Sequence, residues 1–437
     1  MKQPIYHTLQ LKHIVGGGQA LGDLPDGRKA FVWGGLPGEQ VTIRLTKKKS
    51  RFIEGVVEEV LSASPERIAP RDPESYLSTS PWQIMTLEAE QRYKAQLIHE
   101  AFRLHHVNLA PPEVYCDNVA FGYRNKVEFS WYSDTDAISG VDTLDLAFFR
   151  RGSKGKIVVD GTSLACPEIN TLAQAVRDLL RQKAVSARQL KTLLIRCDQE
   201  GNAVWQLYTK DRLPDLITAE EAASLPAAGG EVIYSDPKSP ASRVTERLAR
   251  FGNPTLTDHI LGTTFRYACE GFFQVNLPVY EQALKDMQQW VDGSSQVIDM
   301  YAGVGSIGLT IGGDNLTLVE LNEYAVAEMQ RNITALSREG QATAVLAATE
   351  HALDYITGDA TIILDPPRAG LHADVVARLR QQHPPRIVYL SCNPVTQARD
   401  VALLTEDGRY HIRHAKGYNF FPRTPHIEHL VVLDAAS

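Results

Sequence analysis

The first part of the chain consists of short runs in which apolar and polar residues alternate, as they do in β-strands. Stretches such as HTLQLKHIV, KAFVWGGL and QVTIRLTKK recur at roughly ten-residue spacing, and Gly and Pro separate them. Strands of this length with such breaks are typical of a small antiparallel barrel. The pattern therefore predicts a β-barrel domain over residues 1–66.

The pattern is mixed between residues 67 and 262. A segment rich in Pro, Ser and charge opens this part, and helical periodicity follows in TLEAEQRYKAQLIHEAFRL. Strand-like runs such as YRNKVEFSWY and KTLLIRC then alternate with the helix-like TLAQAVRDLLRQ. We predict a central α+β domain over residues 67–262, whose helix at about 85–104 is able to pack on the domain that follows.

Continuous β-branched runs separated by helical stretches dominate the last part of the chain. Examples are QVIDM, LTLVE, TIILD and RIVYLS, each of which ends at Gly, Asp, Glu or a Ser-Cys pair. Buried parallel strands have this pattern, and ligands bind beyond their carboxyl ends. The sequence predicts a doubly wound, Rossmann-like α/β domain over residues 263–437, and hence a multi-domain protein.

Composition limits the functional classes. The 437 residues carry 45 Lys and Arg against 52 Asp and Glu, a net charge of -7. These values exclude a disordered chain, and they argue against a protein that coats nucleic acid by bulk charge. Residues 1–70, however, contain ten basic and seven acidic residues. Their KKKSR run is either a solvated hairpin tip or a phosphate contact made by Lys47, Lys48, Lys49 and Arg51.

Cysteine usage and apolar segments indicate the compartment. The five cysteines are scattered without a CxxC pair, which is typical of reduced intracellular thiols rather than of a disulfide framework. The N-terminus lacks the order of a signal peptide, and no stretch has the length of a membrane span. We expect a cytoplasmic protein that does not bind membranes.

The first two predicted strand ends carry a candidate cofactor site. Glycines follow the strand that ends at Asp299, and Gly303 and Gly305 would let the backbone approach a nucleoside-sized ligand. Glu320 ends the next strand and can accept hydrogen bonds from ribose hydroxyls, although it could equally cap a helix. Because the phosphate-cradling loop of dinucleotide enzymes is missing, S-adenosylmethionine fits better than a nicotinamide cofactor.

Two further strand ends carry candidate chemistry. Asp365 opens the rigid DPPR loop, which is otherwise an ordinary proline-rich strand exit. Cys392 follows the apolar run IVYLS and precedes Asn-Pro. A cysteine at a strand end is often a small buried hydrophobe, but beside a cofactor site it is a candidate nucleophile.

With these residues identified, the chain resembles the S-adenosylmethionine-dependent RNA uracil-5-methyltransferase family over nearly its whole length. The resemblance rests on an ordered set of motifs: FFQVN, DMYAGVG, VELN, ILDPPRAGL, YLSCNP and FPRTPHIEHLVVL. Residues 5–66 resemble the TRAM domain, an OB-like RNA-binding barrel that precedes the catalytic part of many members. This resemblance favours RNA as the ligand of the KKKSR run.

The resemblance implies a role for several residues. Cys392 would add to carbon 6 of uracil, carbon 5 would receive the methyl group of S-adenosyl-L-methionine, and Glu428 would remove the carbon 5 proton. His426 is the alternative base, or a residue that orients Glu428. The implied RNA contacts in the central domain are Arg124 and Lys126. The implied cofactor contacts are Gln274, Tyr301, Gly303, Glu320 and Asp365.

One family feature is missing from the sequence. Members with a TRAM domain commonly hold an iron–sulfur cluster through a C-x5-C-x2-C run and a later Cys before Pro. At the corresponding positions this chain has Asp72, Ser78 and Pro81, and only Cys166 is retained. Because such clusters need thiolate ligands, we predict no iron–sulfur cluster and no other metal.

Two alternative functions remain open on the sequence. The DPPR loop is similar to the DPPY-type loop of amino-group nucleic-acid methyltransferases, whose chemistry needs no thiol. A non-catalytic RNA-binding assembly factor with a retired methyltransferase fold is the other alternative. Under the leading interpretation the substrate is 23S rRNA, or next tRNA, for the formation of 5-methyluridine. RNA is the expected partner, no obligate protein partner is indicated, and a monomer is the default.

Overall fold

The computed structural model describes residues 4–135, 142–293 and 295–436. Three sheet systems follow one another, with an extra hairpin between the second and the third: a closed barrel, a mixed sheet with helices, and a largely parallel sheet between helices. This architecture confirms the predicted fold class of an N-terminal barrel, an α+β centre and a C-terminal α/β domain. Among the described residues, no helix combines the length and apolar character needed to cross a membrane.

The N-terminal barrel closes because its first strand pairs with both the second and the fourth. Side chains alternate between the interior and solvent, and the interior is filled by residues such as Leu11, Val32 and Ile43. The strand order is β1-β2-β3-β5-β4. The strands are β1 (Tyr6–Ile14), β2 (Ala20–Asp23), β3 (Lys29–Trp33), β4 (Gln40–Lys48) and β5 (Phe52–Ser62).

The chain then crosses to the C-terminal domain before it builds the central one. After α1 (Tyr76–Thr79), the helix α2 (Leu87–Leu104) begins at Thr86, whose side chain accepts a hydrogen bond from the backbone N–H of Ala89. Ile98 and Phe102 of α2 are buried in the core of the C-terminal sheet. The strand β6 (Val114–Tyr115) pairs with the edge of that same sheet.

The central domain is a seven-stranded sheet covered by helices. Its strand order is β13-β12-β11-β10-β7-β8-β9. The strands are β7 (Lys126–Tyr132), β8 (Asp145–Phe149), β9 (Lys156–Val158), β10 (Leu190–Cys197), β11 (Ala203–Thr209), β12 (Gly229–Tyr234) and β13 (Glu246–Gly252). The helices are α3 (Pro167–Gln182) and α4 (Ala219–Ser224).

The C-terminal domain is an eight-stranded sheet that follows a separate hairpin, β14 (Thr255–Ile260) and β15 (Thr263–Ala268). The sheet order is β18-β17-β16-β19-β20-β22-β21-β6. Its remaining strands are β16 (Val297–Met300), β17 (Leu316–Glu320), β18 (Ala342–Leu346), β19 (Thr361–Leu364), β20 (Arg386–Ser391), β21 (Tyr410–Tyr418) and β22 (Glu428–Ala435). The helices are α5 (Leu277–Gln288), α6 (Gly308–Ile311), α7 (Glu323–Ala335), α8 (Ala373–Gln382) and α9 (Pro394–Thr405), with short 3-10 turns at Thr349–His351 and Leu353–Tyr355.

The barrel touches the C-terminal domain closely. Gly18 has a φ of +90°, and a Cβ atom built there would lie 2.2 Å from the Cβ of Pro425. The indole of Trp82 donates to the Gly18 carbonyl at 2.9 Å, and its backbone N–H donates to the Arg423 carbonyl at 3.1 Å. The barrel is therefore packed against the loop that precedes β22.

Candidate active site

Cys392 and Glu428 meet at one end of the C-terminal sheet. Cys392 follows β20, and Glu428 begins the antiparallel neighbour β22. Because Ser391 pairs with His429, the register brings the next residues, Cys392 and Glu428, opposite each other. Cys392 is half-buried, whereas Glu428 is buried. The Cys392 thiol is therefore partly accessible to a ligand, and the Glu428 carboxyl group lies on its buried side.

The electrostatics of this end disfavour negative charge. Burial, followed by the nearby Glu428 and Asp365, raises the pKa of Cys392 to about 11, while Arg368 lowers it. Burial raises the pKa of Asp365 to about 7. Burial and the charge of Asp365 also raise the pKa of Glu428 well above its usual range. Three acidic groups thus share a site in which each opposes the ionisation of the others.

His426 lies at the mouth of the site. Its side chain is exposed, and its Nδ1 lies 3.2 Å from Nη2 of Arg368, which donates to it. Desolvation, followed by the positive charge of Arg368, lowers the pKa of His426 to about 4. A neutral imidazole that accepts this hydrogen bond is suited to orienting the arginine.

A buried ion pair on α2 holds the loop that precedes Glu428. The Glu90 carboxylate accepts hydrogen bonds from Nδ2 of Asn419 at 2.8 Å and from the backbone N–H of Arg423 at 3.0 Å. Lys94, 3.0 Å from Glu90, donates to Oδ1 of Asn419 at 2.5 Å and to the Phe421 carbonyl at 3.1 Å. Both charged side chains are completely buried, and the sequence reasoning missed them.

The ends of β16 and β17 form the candidate cofactor site. Asp299 is buried, and its Oδ2 accepts a hydrogen bond from the Gly308 N–H at 2.8 Å, while its Oδ1 has no partner. Burial raises the pKa of Asp299 to about 8. Glu320 accepts a hydrogen bond from the Gly303 N–H at 2.9 Å. Gly303 has a φ of +58°, and its missing side chain leaves open space.

Apolar side chains surround the end of β17 beside Glu320. Leu321 and Tyr324 are 69% and 77% exposed, which is unusual for large apolar residues, and Leu346 at the end of β18 is also exposed. With Asn322 and Glu323 they line a shallow cavity of about 480 Å³ that is open to solvent. The sequence reasoning missed this surface, although an apolar residue directly after the strand-end Glu320 was the available signal.

The loop that carries Gln274 is held by the central domain. Arg196 donates to the carbonyls of Gly271 at 2.9 Å and Phe273 at 2.6 Å, and Nδ2 of Asn125 donates to the Gln274 carbonyl at 3.0 Å. Gln274 itself is buried, whereas Phe272 on the same loop is 72% exposed. The position of Gln274 thus depends on the central domain.

Tyr301 differs from the other predicted cofactor contacts. It has a φ of +65° at the turn after β16. Burial raises the pKa of its hydroxyl, whereas the side chain of Thr349 and the backbone of His372 lower it. The hydroxyl therefore lies beside these two neighbouring loops.

The predicted RNA contacts lie in different surroundings. Lys47 forms a salt bridge of 2.6 Å with Glu54, whereas Lys48, Lys49 and Arg51 are exposed. Arg124 donates through Nε to the carbonyl of Lys126 at 2.9 Å and forms no salt bridge with any described carboxylate. The ammonium of Lys126 lies 3.3 Å from the Glu270 carbonyl, and burial lowers its pKa to about 8.

Two cysteines correct the expectation of reduced thiols. Cys166 and Cys197 form a disulfide, because the end of β10 lies beside the N-terminus of α3. Glu168 lies close enough that these three residues would suit a metal, but the disulfide engages both sulfur atoms. Asp72 accepts hydrogen bonds from the backbone and side chain of Ser163, the latter at 2.9 Å. The prediction that no iron–sulfur cluster is present stays a prediction.

Comparisons with known proteins show similarity to RNA methyltransferases. Residues 351–436, which include Cys392 and Glu428, match the family model of the tRNA (uracil-5-)-methyltransferases. An uncharacterized RNA methyltransferase of Enterococcus faecalis is 29% identical over 93% of this chain and 92% of its own. The 23S rRNA (uracil(1939)-C(5))-methyltransferase RlmD of Dichelobacter nodosus is 28% identical over 93% of this chain and 94% of its own.

A solved structure matches nearly the whole chain. The tRNA (uracil-54, C5)-methyltransferase of Pyrococcus abyssi, in complex with S-adenosyl-L-homocysteine, superimposes with a TM-score of 0.78. The alignment covers 97% of this chain and all of that one, at 21% identity. The two proteins therefore share a fold from the barrel to the last strand.

Proposed function

We propose that this chain, which is related to the RNA (uracil-5-)-methyltransferases, forms 5-methyluridine in RNA with Cys392 as nucleophile and Glu428 as base. The observation that carries the proposal is the register of β20 and β22, which brings the two residues face to face beside Asp365. Addition of a thiolate to carbon 6 of uracil makes carbon 5 nucleophilic. A carboxylate is then needed to remove the carbon 5 proton so that the thiolate can leave.

The residues at the ends of β16 and β17 fit S-adenosyl-L-methionine. The Asp299 carboxylate has an oxygen without a partner, and the Glu320 carboxylate retains acceptor capacity for ribose hydroxyls. The apolar cavity beside Glu320 suits the face of an adenine ring. When bound, this cofactor supplies the methyl group that carbon 5 receives. Gln274 and Asp365 complete the proposed contacts.

The charge balance of the site sets the state of the nucleophile. Cys392 must lose its proton before it can attack, and the raised pKa shows that the site without ligands keeps it as a thiol. Arg368 is the positive group that favours the thiolate. We expect the closely spaced acidic groups to carry little negative charge until a cationic ligand or the substrate changes their surroundings.

We propose 23S rRNA as the first candidate substrate and tRNA as the second. The N-terminal barrel and the named relative from Dichelobacter nodosus support the former. The family model and the Pyrococcus abyssi enzyme are named for tRNA. Mass-spectrometric mapping of 5-methyluridine in RNA from cells with and without the protein separates the two.

Trapping of the substrate tests the chemistry. RNA that contains 5-fluorouridine should form a stable covalent adduct with the protein in the presence of the cofactor, because fluorine at carbon 5 cannot be removed as a proton. Cys392→Ala should form no adduct and no 5-methyluridine, whereas the matched control Cys116→Ala should do both. Methylation by Cys392→Ala would instead favour amino-group chemistry. Cofactor binding without methylation of any RNA would favour the assembly factor.

A further inference from the structure

We propose that the RNA strand beside the target uridine runs along a basic track that joins the tip of the barrel to Cys392. The track consists of Lys48, Lys49 and Arg51 on the barrel, Arg151 and Arg124 on the central domain, and Arg368 at the catalytic end. It rests on the proposed function, because it extends the site in which RNA is the substrate. Arg151 and Arg368 join the track on structural grounds alone.

The topology of the central sheet brings Arg124 and Arg151 to the same end of its strands. Strand β7 begins at Lys126 and β8 ends at Phe149, and the two strands are antiparallel. The start of β7 and the end of β8 therefore lie side by side at the same end of the sheet. Arg124 lies two residues before β7, and Arg151 lies in the turn after β8, so both lie beyond that end of the sheet.

The turn that carries Arg151 touches the barrel. A Cβ built on Gly152 would lie 2.9 Å from Cγ2 of Thr46, which is next to the basic run on β4. The guanidinium of Arg151 lies 4.1 Å from the centre of the Trp33 ring on β3. Its Nε donates to the Leu77 carbonyl at 2.6 Å. Arg151 thus continues the basic surface of the barrel onto the central domain.

The other end of the track reaches the active site. Tyr123, the neighbour of Arg124, donates through its hydroxyl to the Pro422 carbonyl at 3.0 Å, and Pro422 lies in the loop that leads to His426. Nη2 of Arg368 donates to Nδ1 of that same His426 at 3.2 Å. Arg368 in turn acts on Cys392 and Glu428. The ring of Phe421 lies 5.9 Å from that of His426, which adds an aromatic surface beside these cations.

These arginines lack the partners that most surface arginines have. None of Arg124, Arg151 and Arg368 forms a salt bridge with a carboxylate in the described ranges, whereas Arg177, for example, pairs with Asp160 and Asp178. Arg151 and Arg124 are half-buried. Burying part of a guanidinium group without a carboxylate partner costs free energy. Phosphate groups would neutralise them with well-suited geometry.

Salt-dependent binding of a fluorescent oligouridylate tests the track. The full-length protein, Arg151→Gln and Arg124→Gln are titrated with this RNA, without cofactor, over a series of KCl concentrations. Each variant should bind several-fold more weakly at low salt and lose about 0.7 from the slope of log K against log salt. Arg188→Gln is the matched control. Arg188 is exposed, and it precedes β10 at the end of the sheet opposite to Arg124 and Arg151.

A second variant separates charge from structure. Arg151→Lys keeps the positive charge but loses the planar contact with Trp33, so it should retain the salt slope. If Arg151→Gln and Arg124→Gln keep the wild-type slope of log K against log salt, the track is wrong. It is also wrong if Arg151→Lys lowers both this slope and the melting temperature as much as Arg151→Gln does. The 5-fluorouridine adduct on Cys392 reports separately on the proposed function, because the adduct depends on the thiol rather than on the slope.

Discussion

Cys392, directly after β20, and Glu428, the first residue of β22, face each other across antiparallel strands. Strands β16, β17 and β19 are parallel to β20, and Asp299, Glu320 and Asp365 lie at or directly beside their carboxyl ends. The carboxyl ends of four parallel strands thus meet the start of one antiparallel strand. This arrangement brings the proposed nucleophile, the proposed base and the proposed cofactor site to the same end of the sheet.

Alkylation of Cys392 should be slow near neutral pH and should accelerate with rising pH. With a pKa of about 11, only about one thiol in a thousand is ionised at pH 8. We expect the rate of iodoacetamide modification of Cys392, followed by mass spectrometry of its peptide, to approach half of its maximum only near pH 11.

Two substitutions should move this profile in opposite directions. Glu428→Gln removes a charge that raises the pKa of Cys392, so alkylation should accelerate, by about tenfold for each unit of pKa lost. Arg368→Gln removes a charge that lowers it, so alkylation should slow. A profile centred near the ordinary thiol value, or shifts of the same sign in both variants, would contradict the assigned electrostatics.

The buried pair of Glu90 and Lys94 should be essential for the fold of the loop before Glu428. Glu90→Gln leaves the Lys94 ammonium without its charge partner, which should cost about 3–5 kcal/mol in the free energy of unfolding measured in urea. The turnover number should fall as the loop loosens.

A double variant is the control for this pair. Glu90→Gln with Lys94→Met removes both charges and should recover part of the lost stability. If Glu90→Gln is as stable as wild type, the pair does not anchor the loop.

The sequence allowed the residues at strand ends to be predicted because the carboxyl ends of parallel strands lie on the same side of a sheet whatever the order of the strands. Continuous apolar runs marked β16, β17, β19 and β20, and parallel strands necessarily end at a common edge. Asp299, Glu320, Asp365 and Cys392 follow from that rule. Glu428 was found through the resemblance to a family, because no local pattern reveals that β22 runs back beside β20.

Contacts between distant segments could not be predicted. Glu90 bonds to Asn419, 329 positions later, and a charged residue on an amphipathic helix normally indicates a solvated face. The pairing of Cys166 with Cys197 is equally hidden, since spacing alone does not reveal which strand end lies beside which helix. Arg151 carried no motif, and only the contact of its turn with the barrel distinguishes it.

Leu321 should contribute to cofactor affinity through its exposed apolar side chain. Leu321→Ser removes apolar contact worth about 1–2 kcal/mol, which should weaken the binding of S-adenosyl-L-methionine by about 5- to 30-fold in calorimetry. Leu403→Ser, at an exposed position on α9, is the matched control and should leave the affinity unchanged. Equal affinities for both variants and wild type would argue against the cavity as the adenine site.

The disulfide predicts a thiol count. Titration of the denatured protein under non-reducing conditions should detect three thiols, from Cys116, Cys269 and Cys392, and five after reduction. Cys197→Ala should show four thiols without reduction, because Cys166 loses its partner. Five thiols in the untreated protein, purified without reductant, would mean that the pair stays reduced.

Asp299 should destabilise the protein as the pH rises. Its folded pKa of about 8 lies above that of an unfolded carboxyl group near 3.9, so its contribution to stability is complete below about pH 4 and is lost as the pH rises through 8. Asp299→Asn keeps an oxygen for the Gly308 N–H but cannot ionise. The variant should therefore be more stable than wild type by about 1–3 kcal/mol at pH 8, with a smaller difference at pH 5, in urea unfolding at each pH. It should bind S-adenosyl-L-methionine more weakly, since the unpartnered oxygen of the wild-type carboxyl group is the proposed contact. A stability difference that is independent of pH would show that Asp299 ionises normally in the folded protein.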